Sequence, residues 1–194
     1  MIYELRAYDL VPGRAPEYLE LFRTQGVPHV TRHLPMAGYW LTDTGALNRI
    51  YHMWVYASLD ERAAARVGLG ADSDWNEGFV PRGFPLILRQ ENMLMRCEET
   101  SPLLQQVTRD RRQVCAAQPP QVPMFGDRLL SLTFGAGVGA EAGERLGRWR
   151  VISGVTPGSV VSLFAHGAGE DPFATAPSAT RHEILRPLSL SPLR

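Results

Sequence analysis

The histidine at the centre of NRIYHMWVY, residues 48 to 56, is the side chain of this 194-residue sequence whose setting most suggests chemistry. Alternation puts Asn48, Ile50, His52, Trp54 and Tyr56 on one face of a strand, and Arg49, Tyr51, Met53 and Val55 on the other. An imidazole flanked by Ile50 and Trp54 is dehydrated. Its pKa drops, and it can accept or give a proton near neutral pH if a carboxylate or carbonyl orients it. The same position suits a core histidine with both nitrogens hydrogen-bonded. Glu4 and Arg6, and later Arg89 and Glu91, alternate with apolar neighbours and are the charged residues expected to point into the interior. A carboxylate beside an arginine stays ionised, whereas one in an apolar pocket becomes a base. A cross-strand ion pair between two sheets is the competing role. His29 and His33 share a helix face as metal ligands can, but no HExxH pattern or third ligand accompanies them, and no metal site is predicted. Tyr39, Trp40, Trp54, Trp75 and Phe79 would wall a pocket for a flat ligand or fill an ordinary core.

Other chemistries are excluded. The 20 basic residues balance 20 acidic ones and form no run, so the electrostatic footprint of a nucleic-acid binder is missing. All the basic residues are arginine, which removes a lysine Schiff base and a phosphate-loop lysine. There is no P-loop, GxSxG or GxGxxG, and GAGVGAEAG at 135 to 143 lacks the dinucleotide spacing. Cys97 and Cys115 stand in neither a disulfide nor a zinc spacing. The amino terminus has no apolar leader, and no stretch approaches the ~20 apolar residues of a membrane span. A cytoplasmic protein without a membrane partner is expected.

These side chains need elements to hold them. Residues 2 to 10 alternate as a strand, with Tyr3, Leu5 and Ala7 on one face and Glu4, Arg6 and Tyr8 on the other. Ala15, Tyr18, Leu19 and Phe22 follow at helical spacing until Gly26 and Pro28 break or restart the helix. Residues 37 to 43 and 48 to 56 form a hairpin about Thr44-Gly45-Ala46. Ser58-Leu59-Asp60-Glu61 is a capping box opening an alanine-rich helix. A short aromatic helix around Trp75 to Phe79 leads, after Pro85, to a fourth strand. The order β-α-β-β-α-β is an α+β, ferredoxin-like unit whose uncovered sheet face needs a partner sheet. The two faces together would shape the chamber for any activity. Residues 101 to 127 read as a linker with one short helix near Val107 to Val114. In 128 to 194 the pattern returns in shortened form. Leu132 matches Leu5, Glu144 matches Glu17, Trp149 matches Phe22, and Glu183 through Ser191-Pro192-Leu193 echoes Glu91 through Ser101-Pro102-Leu103. On this reading, 135 to 143 starts a helix and SVVSLFAH is a strand.

IYELRAYDLVPG with YLELF, GYWLTDTGALN before HMWVYASLDERAAAR, the Trp75 segment and QENMLMR followed by a proline occur at intervals that resemble the NIPSNAP family, within the dimeric α/β barrel superfamily. The resemblance covers 1 to 100 best. It implies two sheets packed face to face in a barrel, from two chains in a homodimer or higher oligomer, or from tandem units in one chain. By superfamily analogy it implies a cofactor-independent enzyme acting on an aromatic or polyketide-like molecule by proton abstraction, in monooxygenation, cyclisation or rearrangement, of the kind found in natural-product biosynthesis. His52 would be its base or acid, Arg6 would steady the enolate, Glu4 and Glu91 would assist, and Tyr39, Trp54, Trp75 and Phe79 would hold the substrate. No cofactor is expected. The alternative is a non-catalytic binding or assembly module, and haem binding through a histidine is a third possibility.

Overall fold

The alternation at the amino terminus is realised in β1 (Ile2–Leu10), which lies between β3 (Arg49–Tyr56) and β4 (Ile87–Thr100), with β2 (Met36–Thr42) outside β3. The structure, a computed structural model, describes residues 1–135, 143–173 and 179–194. Leu5, Met53 and Met93 are paired neighbours across three strands, and so are Arg6, His52 and Asn92. Paired neighbours share a face, so the two trios line opposite sides of the sheet.

The helices that precede β4 serve the His52 side. α1 (Ala15–Leu21) runs through a π-helical turn at Phe22–Gly26 into α2 (Val27–Thr31). Gly26 and Pro28 do not interrupt it, because the proline falls in the first turn of α2, where its missing N–H costs nothing. Ser58 caps α3 (Leu59–Gly70) by accepting from the Glu61 amide at 3.1 Å, and the Glu61 carboxylate accepts from the Ala57 amide. A π-helical turn at Asp74–Phe79 leads into α4 (Val80–Gly83). Tyr18, Leu19, Phe22, Val30 and Phe79 from this layer pack on Tyr8, Ile50 and Trp54 of the sheet.

The opposite face is covered by the same chain. β5 (Leu129–Phe134) lies between β7 (Val160–His166) and β8 (Arg181–Pro187), and β6 (Glu144–Gly154) pairs outside β7. β2 joins β8 and β4 joins β6, which closes the described strands into one antiparallel barrel, β1-β3-β2-β8-β5-β7-β6-β4. Its interior is filled by Leu5, Trp40 and Met53 from one sheet and Leu132, Trp149 and Leu163 from the other.

Three expectations change. The segment around Trp149 is the strand β6, not a helix matching α1, so the pairing of Glu144 with Glu17 and of Trp149 with Phe22 does not hold. A register shift between Arg145 and Gly147 lets Leu146 and Trp149, three residues apart, both turn inward, which mimics a helical repeat. Residues 136–142 of the expected helix start lie outside the described residues. The connector helix, α5, is Pro102–Arg109 rather than 107 to 114. The Ser101 hydroxyl accepts from the Leu104 amide at 3.1 Å and a proline opens the first turn. Finally, the space between the two sheets is packed with apolar side chains and is no chamber.

Candidate functional site

A cavity of about 240 Å³ lies on the other side of the first sheet, beneath the helices. Arg6, Tyr8, Tyr39, His52, Trp54 and Gln90 line it from the strands, and Tyr18, Phe22, Arg66, Leu69 and Trp75 from the helical layer. Aromatic rings make most of the wall, and the polar groups converge at one place on it.

That place is built on Glu4, which is fully buried. Its carboxylate accepts from Arg62 Nε and Nη2 at 2.8 and 2.9 Å, Arg66 Nη2 at 3.1 Å, Arg6 Nη1 at 3.0 Å and Asn92 Nδ2 at 2.8 Å. Burial pushes the carboxyl pKa up, but Arg62, Arg66, Asn92 and Arg6 outweigh it and hold Glu4 far below the usual carboxylate range. It is a permanent anion that fixes the arginines. Arg6 also donates from Nε to Tyr8 Oη at 3.2 Å and from Nη2 to Gln90 Oε1 at 3.1 Å.

His52 is held from three sides. Tyr39 stacks on it at 5.0 Å, Tyr8 meets it edge-on at 4.6 Å, and Trp54 Nε1 donates to its Nδ1 at 2.7 Å. Burial holds the imidazole pKa well below its usual range, and Arg6 and Arg66 press the same way against the pull of Glu4. The ring is therefore neutral. Indole N–H can only donate, so Nδ1 is the acceptor and the single proton sits on Nε2. His52 Nε2 is buried and has no hydrogen-bond partner among the described residues. The arrangement leaves His52 a neutral N–H donor whose Nδ1 is occupied; of the two roles its sequence context suggested, base or acid, the free N–H suits the acid.

The sequence-predicted residues divide accordingly. Arg6, His52, Tyr39, Trp54 and Trp75 line the cavity, and Glu4 stands behind Arg6. Phe79 is fully buried behind Trp75, stacked at 4.5 Å, and does not reach it. Glu4 and Arg6 face the helices rather than the barrel interior. Arg89 and Glu91 share the opposite face with Ala7 and Asp9, bound to each other, so the sheet separates Glu91 from His52. Gln90 and Asn92, one residue along, are the β4 side chains that serve the site. Arg62 and Arg66 were missed as well. Their signal is two arginines one turn apart on an alanine-rich helix, which makes a single cationic stripe. His33 Nε2 binds Asp72 at 2.7 Å, while His29, Asp72 and Asp74 cluster within 4.8 Å of one another. The Arg32 guanidinium lies among those three, at 2.9, 3.1 and 3.0 Å, and supplies their cation.

The NIPSNAP family model matches residues 3–102. NipSnap homolog 3B of Mus musculus is 38% identical over 90 residues, which are 46% of this chain and 36% of that protein. NipSnap homolog 3A of Homo sapiens is 34% identical over 94 residues, 47% of this chain and 37% of that one. The chain thus spans little more than a third of the length of these curated relatives. Among solved structures, a NIPSNAP family protein of unknown function from Agrobacterium tumefaciens is 38% identical with a TM-score of 0.51, covering 53% of this chain and 92% of its own. A candidate monooxygenase from Lactobacillus acidophilus covers 96% of this chain and 92% of its own at a TM-score of 0.51, but at 10% identity it shares the fold alone. No helix among the described residues is long and apolar enough to cross a membrane.

Proposed function

The chain belongs to the NIPSNAP family, and from that footing we propose that its helix-covered cavity is the working site of a cofactor-independent enzyme that stabilises the enolate or phenolate of an aromatic or polyketide-like molecule. The observation that carries this reading is the buried, unpartnered N–H of His52, lining a cavity that Arg6 and Arg66 also line. A donor preorganised in a site of low dielectric favours charge developing on a ligand oxygen. The two guanidiniums lower the pKa of a bound C–H or O–H acid, which acts in the same direction. The substrate's proton leaves to solvent, and the anion goes on to oxygenation, cyclisation or rearrangement. His52 is the donor and Arg6 the electrostatic support. The unpaired thiols Cys97 and Cys115 suit a reducing cytoplasm.

One observation favours a second reading, a module that holds such a ligand without converting it. Among the described residues no side chain at the site is set up as a general base, since Glu4, behind the lining, is tied to three guanidiniums and His52 Nδ1 to Trp54. Deuterium exchange at the α-carbons of 2-tetralone, followed by NMR in D2O, separates the two. The enzyme accelerates exchange over buffer, and His52→Ala lowers that acceleration by about 10²-fold, the usual cost of one oxyanion donor. Binding of the ketone at the buffer rate of exchange leaves the module.

We also read 1–100 and 128–194 as degenerate copies of one ferredoxin-like unit joined by 101–127. The strand orders β4-β1-β3-β2 and β8-β5-β7-β6 support this, as do Gly38 and Trp40 in β2 set against Gly147 and Trp149 in β6. On this reading each chain carries one site and closes its own barrel.

A further inference from the structure

We propose that the ligand of this cavity is a planar mono- or bicyclic aromatic acid with a hydroxyl or keto oxygen next to its carboxylate, the carboxylate on Arg66 and the neighbouring oxygen on His52. The inference rests on reading the cavity as the functional site and adds the class of molecule. Its first support is charge. One carboxylate, Glu4, faces the guanidiniums of Arg6, Arg62 and Arg66, and no other acid joins this cluster among the described residues. Two positive charges are left unanswered, and Arg6 and Arg66 both line the cavity. An anion in the cavity would answer the surplus charge of these partly buried arginines through charge-assisted hydrogen bonds.

The second support is the count of free donors. Each nitrogen of Arg6 already donates one hydrogen bond, whereas Arg66 Nε and His52 Nε2 are buried with no hydrogen-bond partner among the described residues. Two donors on two lining residues suit one oxygen of a carboxylate and one oxygen beside it. With its carboxyl ionised and its hydroxyl or enol also deprotonated, an acid of this kind carries two negative charges, equal to the surplus. Size is the third support. The cavity, about 240 Å³, is just under the ~300 Å³ at which sites for larger ligands begin. With Trp54 and Trp75 in the wall it fits a small flat ring system.

The test is calorimetric titration of the whole chain with 1-hydroxy-2-naphthoate and with its neutral amide. The acid binds once per chain, at least about tenfold more tightly than the amide, as expected for a hydrogen bond to a charged group. Arg66→Met brings the two ligands to within about threefold of each other, while Arg66→Lys, which keeps the charge, retains most of the gap. Melting curves confirm that both variants are folded, since Arg62, Arg6 and Asn92 still hold Glu4. Equal binding of acid and amide by the wild type, or a gap that survives Arg66→Met, overturns the proposal. If neither naphthalene binds but exchange of 2-tetralone is still accelerated, this inference falls and the enolate reading stands. If exchange also runs at the buffer rate, both fall.

Discussion

The two halves of the barrel share a strand plan and differ in what lies on their outer faces. Leu132 occupies in β5 the place of Leu5 in β1, and Met53 and Leu163 are their partners on the third strand of each sheet. The same superposition sets Trp40 opposite Trp149, both fully buried, on the inner side. It also sets Glu4, Arg6 and His52 against Ser131, Thr133 and Ser162 on the outer side. In the first half those outer residues meet a layer of helices and form a charged network around a cavity. In the second half they are small hydroxyl residues. Even the buried glutamates contrast. Glu4 has four donor residues, while among the described residues Glu183 has Arg181 at 3.9 Å and the Tyr51 hydroxyl beside it, and its Oε2 accepts no hydrogen bond. Closing a barrel requires an apolar inner face from each half, and it leaves the outer face free to carry chemistry in one half alone.

The largest effects test the shared inner face. Trp40→Ala and Trp149→Ala should each cost about 4 kcal/mol in chemical denaturation, the usual loss for a large buried ring. A cost confined to one of them would break the equivalence. The buried glutamates come next and should differ. Glu4→Gln leaves three guanidiniums without their anion and should cost about 3 kcal/mol, whereas Glu183→Gln should stay within about 1 kcal/mol, because a glutamine oxygen can still accept from the Tyr51 hydroxyl and the one guanidinium near it is 3.9 Å away. Similar losses at the two sites would remove the contrast.

Acid sharpens the comparison further. His52 in one half, and His166 and His182 in the other, are held below their usual pKa, burial being the first cause in each. Their folded forms bind fewer protons than the unfolded chain does, so the stability they allow is whole above pH ~6.5 and declines as pH falls below it. Each histidine contributes up to about 1.4 kcal/mol per pH unit in that window. Unfolding free energies measured between pH 7 and 5 should flatten with His52→Gln, and separately with the pair His166→Gln and His182→Gln. An unchanged slope in His52→Gln would show that its imidazole is not buried neutral. The smallest effect concerns Trp54→Phe, which removes the indole N–H at a cost of about 1 kcal/mol. Nitrogen NMR of His52 should then show loss of the pure Nε2–H tautomer.

Much of the first half is legible in its sequence because its signals are local. Period-two alternation correctly separates Ile50, His52 and Trp54 from Tyr51, Met53 and Val55, and Ser58 with Glu61 marks the start of α3. Where a local rule admits two answers, the reading fails. Leu146 and Trp149 fit a helical spacing as well as a bulged strand, and only the pairing of β6 with β4 and β7 chooses between them.

The sequence by itself determined which side chains share a face, where the chain turns, and which family it belongs to, since all of these follow from neighbours along the chain. Tertiary structure decided which face of the first sheet meets helices and which meets the second sheet. It therefore decided that Arg6 and His52 open onto a cavity, with Glu4 behind Arg6, while Glu91 does not. Alternation is symmetric about the plane of a strand and carries no sign for either side. That sign comes only when α3 docks and brings Arg62 and Arg66, some sixty residues away in sequence, onto Glu4.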